Sequence, residues 1–323
     1  MAASGSSDST IILWSTQREK AMHEWVAHKG SVLALAFSPY SRHLLSAGED
    51  GKLVVWDAKQ DGARVATLEG HSGRVPACTW SPDGETIVSG SANSLRIWEA
   101  DAFMKLHRAS IDSPAESLSF SANSGWMVSV LARHCYVWDF SSPDKPSRTA
   151  LHNSVESRIT MAKFGPMGSS SAILATRSED DSIRLWDAQS GIAQLLYQFR
   201  GMRVLDIAFL YDYKIWLLSA VGDGSVVEVR DPESRESVAR PVSGQRHRAT
   251  VHAACFSQGR EYVASVSEDG VVKLWRTEDG SCLARFGEHS GKVEHVVFSP
   301  SARTLSSGAY DGTVCIRRLH DGQ

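Results

Sequence analysis

Apolar and polar residues alternate in short runs along the whole chain: SVLALAF (31–37), RVPACTW (74–80), TVHAACF (250–256) and KVEHVVF (292–298). A period of two sends successive side chains to opposite faces. These runs are also β-branched and aromatic, so each predicts a half-buried strand. Turn signals punctuate them, SPDG at 81–84, EDG at 49–51 and 268–270, and YDG at 310–312. No window holds the 3.6-residue period of a useful amphipathic helix. The expected class is all-β.

The strands recur in a longer period. In LLSAGEDGKLVVWD (44–57), ILATRSEDDSIRLWD (173–187) and YVASVSEDGVVKLWR (262–276), a Ser or Thr precedes an Asp by four residues, and that Asp precedes a Trp or its counterpart by six. The triples are Ser46/Asp50/Trp56, Thr176/Asp180/Trp186 and Ser265/Asp269/Trp275, and Ser4/Asp8/Trp14 keeps the spacing. Weaker copies end at Trp98, Trp138, Val229 and Arg317, with successive endpoints 40 to 48 residues apart. That period excludes the shorter leucine-rich and ankyrin repeats and leaves room for about four short strands per repeat, here d, a, b and c.

Dipeptides in phase with this spacing carry a family resemblance. AH (27–28), GH (70–71), RH (246–247) and EH (288–289) precede a strands, and WD closes c strands at 56–57, 138–139 and 186–187. The chain resembles the WD-repeat β-propeller family over essentially its whole length. The resemblance implies a single propeller over 1–323, built of four-stranded antiparallel blades around a channel. Seven a strands, ending at Phe37, Trp80, Phe120, Phe164, Phe209, Phe256 and Phe298, predict seven blades. No d strand follows the last c strand (313–319), so residues 20–28 are expected to pair with it as a clasp and close the ring. Residues 1–19 are then a surplus partial repeat.

The resemblance also implies a structural role for the recurring Ser, His and Asp. Three full sets are expected to form hydrogen-bonded networks: His28/Ser46/Asp50/Trp56, His152/Thr176/Asp180/Trp186 and His247/Ser265/Asp269/Trp275. Repetition on several blades suits architecture, whereas a catalytic triad needs one site with an activated nucleophile. No hydrolase motif such as G-x-S-x-G supports catalysis. Other blades are worn. His71/Ser89/Trp98 has Asn93 near the Asp position, and His289/Ser307/Asp311 has Arg317 in place of Trp. The Trp138 blade lacks His and Asp, and the Ser219/Asp223 blade has Val229 at the Trp position and no His.

Composition narrows function mainly by exclusion. Hydrophobic residues at 42% and charged residues at 22% describe an ordinary globular chain. A net charge of −3 gives no basis for binding nucleic acid through its phosphates. No apolar run approaches a membrane span, and MAASGSSDST is not a signal sequence. Five scattered cysteines without a CxxC pair suit buried thiols in a reducing, intracellular setting, cytoplasm or nucleus. Neither metal-ligand spacing nor a phosphate-binding glycine motif is present, so no metal and no cofactor are expected.

One register position remains. Six residues before each a strand's terminal aromatic stand Ser31, Arg74, Pro114, Arg158, Arg203, Thr250 and Lys292, four of the seven basic in a slightly acidic chain. Just before the b–c turn Asp stand Glu49, Glu179, Glu268 and Tyr310. The bland expectation is a rim of compensating ion pairs. The sharper one is that Arg74, Arg158, Arg203 and Lys292 receive an acidic or phosphorylated peptide, with Tyr310 as an aromatic anchor. The expected function is a non-catalytic scaffold docking other proteins on its loops. The alternatives are a propeller enzyme or small-molecule binder using the channel, or the repeat tail of a larger signalling protein.

Overall fold

The structure, a computed structural model, describes residues 1–60, 62–131, 134–151, 157–165, 173–198, 202–209, 215–221, 224–234, 236–239 and 245–319. Within it the chain divides into two compact units, Met1–Ser15 with Lys20–Leu196, and Thr16–Glu19 with Tyr197–Gln323. Among the described residues no helix is long and apolar enough to cross a membrane.

The first unit carries five antiparallel sheets. The first has three strands, β1 (Ala2–Gly5), β2 (Thr10–Ser15) and β3 (Lys20–Val26). The second is β4 (Val32–Phe37), β5 (His43–Gly48), β6 (Leu53–Asp57) and β7 (Arg64–Leu68). The third is β8 (Ala77–Trp80), β9 (Thr86–Gly90), β10 (Ser94–Glu99) and β11 (Lys105–Ser110). The fourth is β12 (Ala115–Phe120), β13 (Trp126–Leu131), β14 (Cys135–Asp139) and β15 (Ser147–Ala150). The fifth is β16 (Ile159–Phe164), β17 (Ile173–Ser178), β18 (Ser182–Asp187) and β19 (Ala193–Gln198).

The second unit carries three more. The sixth sheet is β20 (Arg203–Phe209), β21 (Ile215–Val221), β22 (Val226–Arg230) and β23 (Ser237–Ala239). The seventh is β24 (Val251–Phe256), β25 (Tyr262–Ser267), β26 (Val272–Arg276) and β27 (Cys282–Phe286). The eighth has three strands, β28 (Val293–Phe298), β29 (Thr304–Ala309) and β30 (Val314–Arg318). Each sheet is a meander of consecutive strands, the pattern that short turns between antiparallel neighbours favour.

The expectation of seven blades is therefore corrected to eight. Seven a strands exist, β4, β8, β12, β16, β20, β24 and β28, but the first sheet is a blade built without one. The closing clasp is corrected with it. β3 pairs with β2 from Thr10↔Val26 to Ser15↔Lys20, so residues 20–26 complete the first sheet. A turn of four residues joins β2 to β3, so their hairpin closes a very short loop. Pairing with β30 would close one of almost the whole chain.

The core lies between sheets, and the second and third strands of most sheets are buried on both faces. Ile11 and Leu13 of the first sheet meet Leu44, Val54 and Trp56 of the second. Leu45 and Val55 meet Trp80, Ile87 and Trp98, and Val88 and Ile97 meet Met127 and Trp138. Val128 and Val137 then meet Leu174 and Trp186. In the second unit Leu218, Val227 and Val229 pack on Val263 and Trp275, and Ala264 and Val272 on Val296 and Leu305. Each of these tryptophans on a third strand packs against the sheet that precedes its own.

One turn shows how tightly the sheets approach. Gly270 in the EDG turn has φ +73°, and a Cβ there would lie 2.7 Å from the carbonyl oxygen of His289. Only glycine meets both demands.

Candidate functional site

The tryptophan of the third strand stands diagonally across the ladder from the hydroxyl of the second, two residues away from direct register, and their bond recurs from sheet to sheet. The indole N–H donates to Ser4 from Trp14, to Ser89 from Trp98 and to Ser129 from Trp138, at 2.9 Å each. Trp56 donates to Ser46 at 3.0 Å, and Trp186 to Thr176 and Trp275 to Ser265 at 2.8 Å. The structure thus places this pair in six of the eight sheets.

Two of the expected quartets are drawn into continuous chains. In the second sheet His28 Nε2 lies 2.9 Å from Ser46 Oγ and His28 Nδ1 lies 3.0 Å from Asp50 Oδ1. An indole can only donate, so Ser46 accepts from Trp56 and gives its own proton to Nε2, leaving Nδ1–H for Asp50. The seventh sheet repeats this with His247 Nε2 at 2.7 Å from Ser265 and Nδ1 at 3.3 Å from Asp269. Both carboxylates also accept backbone amides, Asp50 from Lys29 and Lys52, Asp269 from Arg248 and Val271. Desolvation pushes both carboxyls up, but these amides and the imidazoles outweigh it and hold them below the usual range. Burial, opposed by Asp269 and helped by Lys273, lowers His247 to about 4, a neutral imidazole at ordinary pH.

The third quartet is described in part. Thr176 and Trp186 are bonded, and Asp180 accepts the amide and hydroxyl of Ser182, whereas His152 lies outside the described residues.

Worn sheets find substitutes that the spacing did not reveal. In the third, Ser94 stands 3.4 Å from His71 Nδ1, where an Asp would be. In the eighth, the Thr313 hydroxyl inserts between His289 Nδ1, at 2.6 Å, and Asp311, at 2.5 Å. In the sixth, Ser219 is 2% exposed and its hydroxyl has no hydrogen-bond partner among the described residues. Asp223 of that sheet lies outside them.

The expected rim residues are surface groups, several of them already paired. Arg158 reaches Glu116 at 2.5 Å and Glu179 at 3.4 Å. Lys292 pairs with Glu294 at 3.0 Å and stands 5.6 Å over the ring of Tyr310, which is 73% exposed. Arg203 is exposed and approaches the His252 carbonyl at 3.5 Å, and Arg74 is exposed. Arg74 and Arg158 belong to the first unit, Arg203, Lys292 and Tyr310 to the second. A bulge follows the rim position in six first strands, for example at Ile159/Met161, Val204/Asp206 and Val293/His295. Bulges at a strand start re-aim the flanking side chains, which is what a binding rim requires. Among the described residues no group of three His, Cys, Asp or Glu could hold a metal ion. Burial pushes the Cys78 thiol up to about 12, which leaves it inert as a nucleophile.

The model of the family described as "WD domain, G-beta repeat" matches at residues 19–57, 62–99, 241–276 and 280–317. The chain belongs to the WD-repeat family. This WD-repeat chain is 23% identical over 297 residues to the WD repeat-containing protein 26 homolog of Arabidopsis thaliana, covering 90% of the chain and 49% of that protein. It thus spans about half the length of that relative. It is 24% identical to eukaryotic translation initiation factor 3 subunit I of Nematostella vectensis, covering 91% of the chain and 94% of that protein. Among solved structures it matches the computationally designed Ika8 protein at TM-score 0.78 and 24% identity, covering 98% of the chain and 92% of Ika8. That likeness is one of fold alone. The family model passes over residues 100–240, which hold the worn Trp138 and Val229 repeats and also the repeat ending at Trp186.

Proposed function

We propose that this WD-repeat protein is a non-catalytic scaffold that docks peptides or domains of other proteins on the loops joining its strands. The observation that carries the reading is the use of its reactive side chains. The Ser, His and Asp sets are spent on hydrogen bonds within the second and seventh sheets, and their variants likewise in the third and eighth, so chemistry is left to loops on a rigid frame. The docking residues are Arg74 and Arg158 on the first unit, and Arg203 and Lys292 with Tyr310 on the second. An acidic or phosphorylated segment would exchange for Glu116 and Glu179 on Arg158 and for Glu294 on Lys292, while Arg74 and the exposed Tyr310 ring, with Lys292 over it, offer further surface. Cytoplasm or nucleus is the setting that five unbridged cysteines suit.

A second reading is that the chain is the repeat portion of a larger protein, favoured by its 49% coverage of the Arabidopsis relative. The test of the first reading is affinity capture followed by calorimetry with the purified partner. Arg158→Glu combined with Arg203→Glu is expected to weaken binding, with rising salt acting in the same direction on the wild type. Undiminished affinity in the folded double variant moves the docking surface off the rim.

A further inference from the structure

The histidine network of the third sheet lacks its carboxylate, and the donors that would meet one remain. In the second, seventh and eighth sheets the amide after the histidine donates to the network Asp. Lys29 donates to Asp50 at 3.0 Å, Arg248 to Asp269 at 2.8 Å and Ser290 to Asp311 at 2.6 Å. The corresponding Ser72 is exposed, and its amide makes no hydrogen bond among the described residues. Ser89 accepts from Trp98 and gives its own proton to His71 Nε2 at 2.8 Å, which leaves His71 with Nδ1–H. That N–H meets only the Ser94 hydroxyl among the described residues, at a long 3.4 Å. His71 is half-buried, whereas His28, His247 and His289 are buried.

The turn explains the loss. It spans 91–94, one residue fewer than 48–52 of the second sheet, and so passes over the Asp position. Ser91 opens it as Gly48 opens its counterpart, each amide bonding the carbonyl at the far end of the turn. A Cβ on Gly48 would lie 2.8 Å from Asp50 Oδ1, so Ser91 borders the place where the carboxylate is missing. Its hydroxyl belongs to a residue 1% exposed and has no partner among the described residues. The place is reachable from solvent, since the Asp50, Asp269 and Asp311 side chains are 11%, 9% and 12% exposed.

Charge is unbalanced in the same sense. Arg96 stands directly opposite Arg108, as Lys273 stands opposite Arg285 in the seventh sheet, and like charges so placed repel. Asp269 acts on Lys273 to offset that repulsion. The third sheet has no such acid. Neither Arg96 nor Arg108 makes an ion pair among the described residues, and Nε of the buried Arg96 has no hydrogen-bond partner there.

We infer that an Asp or Glu side chain of another protein takes this vacant place, accepting the His71 Nδ1–H and the Ser72 amide, with Arg96 and Arg108 as its countercharge. Bonds to an ionised acceptor are the strong ones, and here their donors are already held by the fold. The inference goes beyond the docking reading above and depends on neither Arg158 nor Arg203, so the two fail separately.

The test uses the full chain and the peptide acetyl-Gly-Glu-Gly-amide, followed by amide proton–nitrogen correlation spectra. The Ser72 amide should shift saturably, while those of Lys29 and Arg248, whose carboxylates are in place, should not. The Gln counterpart should bind about tenfold more weakly, one charge-assisted hydrogen bond being worth at least that factor. Arg108→Glu, a surface change that supplies an internal carboxylate, should weaken the Glu peptide by a similar factor, and Arg158→Glu with Arg203→Glu should leave it bound. A Ser72 amide that does not move, equal binding of the Glu and Gln peptides, or saturation by inorganic phosphate with none by the Glu peptide would each overturn the inference.

Discussion

Ser219 and Ser265 occupy the same place in consecutive sheets, and replacing each by Ala should have opposite consequences. Ser265 is fully buried, accepts the Trp275 indole at 2.8 Å and stands 2.7 Å from His247 Nε2. Ser265→Ala leaves an indole N–H and an imidazole nitrogen buried without partners. At about 1–3 kcal/mol for each stranded group the loss is about 2–6 kcal/mol. Ser219 is 2% exposed, but Val229 stands where the tryptophan would be, and its hydroxyl bonds to nothing among the described residues. Ser219→Ala removes a polar atom that was desolvated without compensation, so it should be neutral or stabilising by about 1 kcal/mol. Urea unfolding followed by far-UV circular dichroism reads both, because neither variant alters the tryptophan content. Equal midpoints for the two variants would refute the assignment of Ser265 as the hub of its network.

Trp275→Ala should cost about 3–5 kcal/mol in the same assay, since the indole is 3% exposed and packs on Val229, Ala239 and Val263. Gly270→Ala should cost about 1–3 kcal/mol, from the left-handed backbone and the His289 carbonyl, again read from the urea midpoint. Acid should weaken the fold in two stages. Burial holds His71 and His247 near 4 against 6.5 when unfolded, so the unfolded chain takes up protons first and stability falls as pH drops from 6.5 to 4. Asp50 and Asp269 are held below 3.8, so their contribution is lost at lower pH still. A melting temperature that is flat from pH 7 to 4.5 would contradict the neutral, buried state of the two imidazoles.

The strands were legible because an alternating run needs only its own residues to declare itself. The second-strand hydroxyl and third-strand tryptophan were legible because they sit ten residues apart, or nine in the more worn copies, across one local hairpin. Blade number was not, since it was counted on first strands and the first blade has none. Its second strand, Ala2–Gly5, offers AASG, with little apolar signal to announce it. Nor could spacing show that Glu116, 42 residues from Arg158 and on the neighbouring sheet, would take up that guanidinium. Thr313 and Ser94 escaped notice for a related reason. Ser94 stands in for a carboxylate and Thr313 bridges to one, both at shifted positions, and only the folded turn brings their hydroxyls to the imidazole.

The count of eight blades rests on the pairing of β3, and disulfide trapping tests it most directly. Ile12 and Glu24 lie opposite one another in the β2–β3 ladder, and Glu24 is exposed. The chain carrying Ile12→Cys and Glu24→Cys should form a bridge between these positions on mild oxidation, identified by peptide mass mapping. Absence of that bridge, with the Cys replacing Glu24 instead trapped by a Cys replacing Ile316 of β30, would restore a seven-bladed ring and contradict the first sheet.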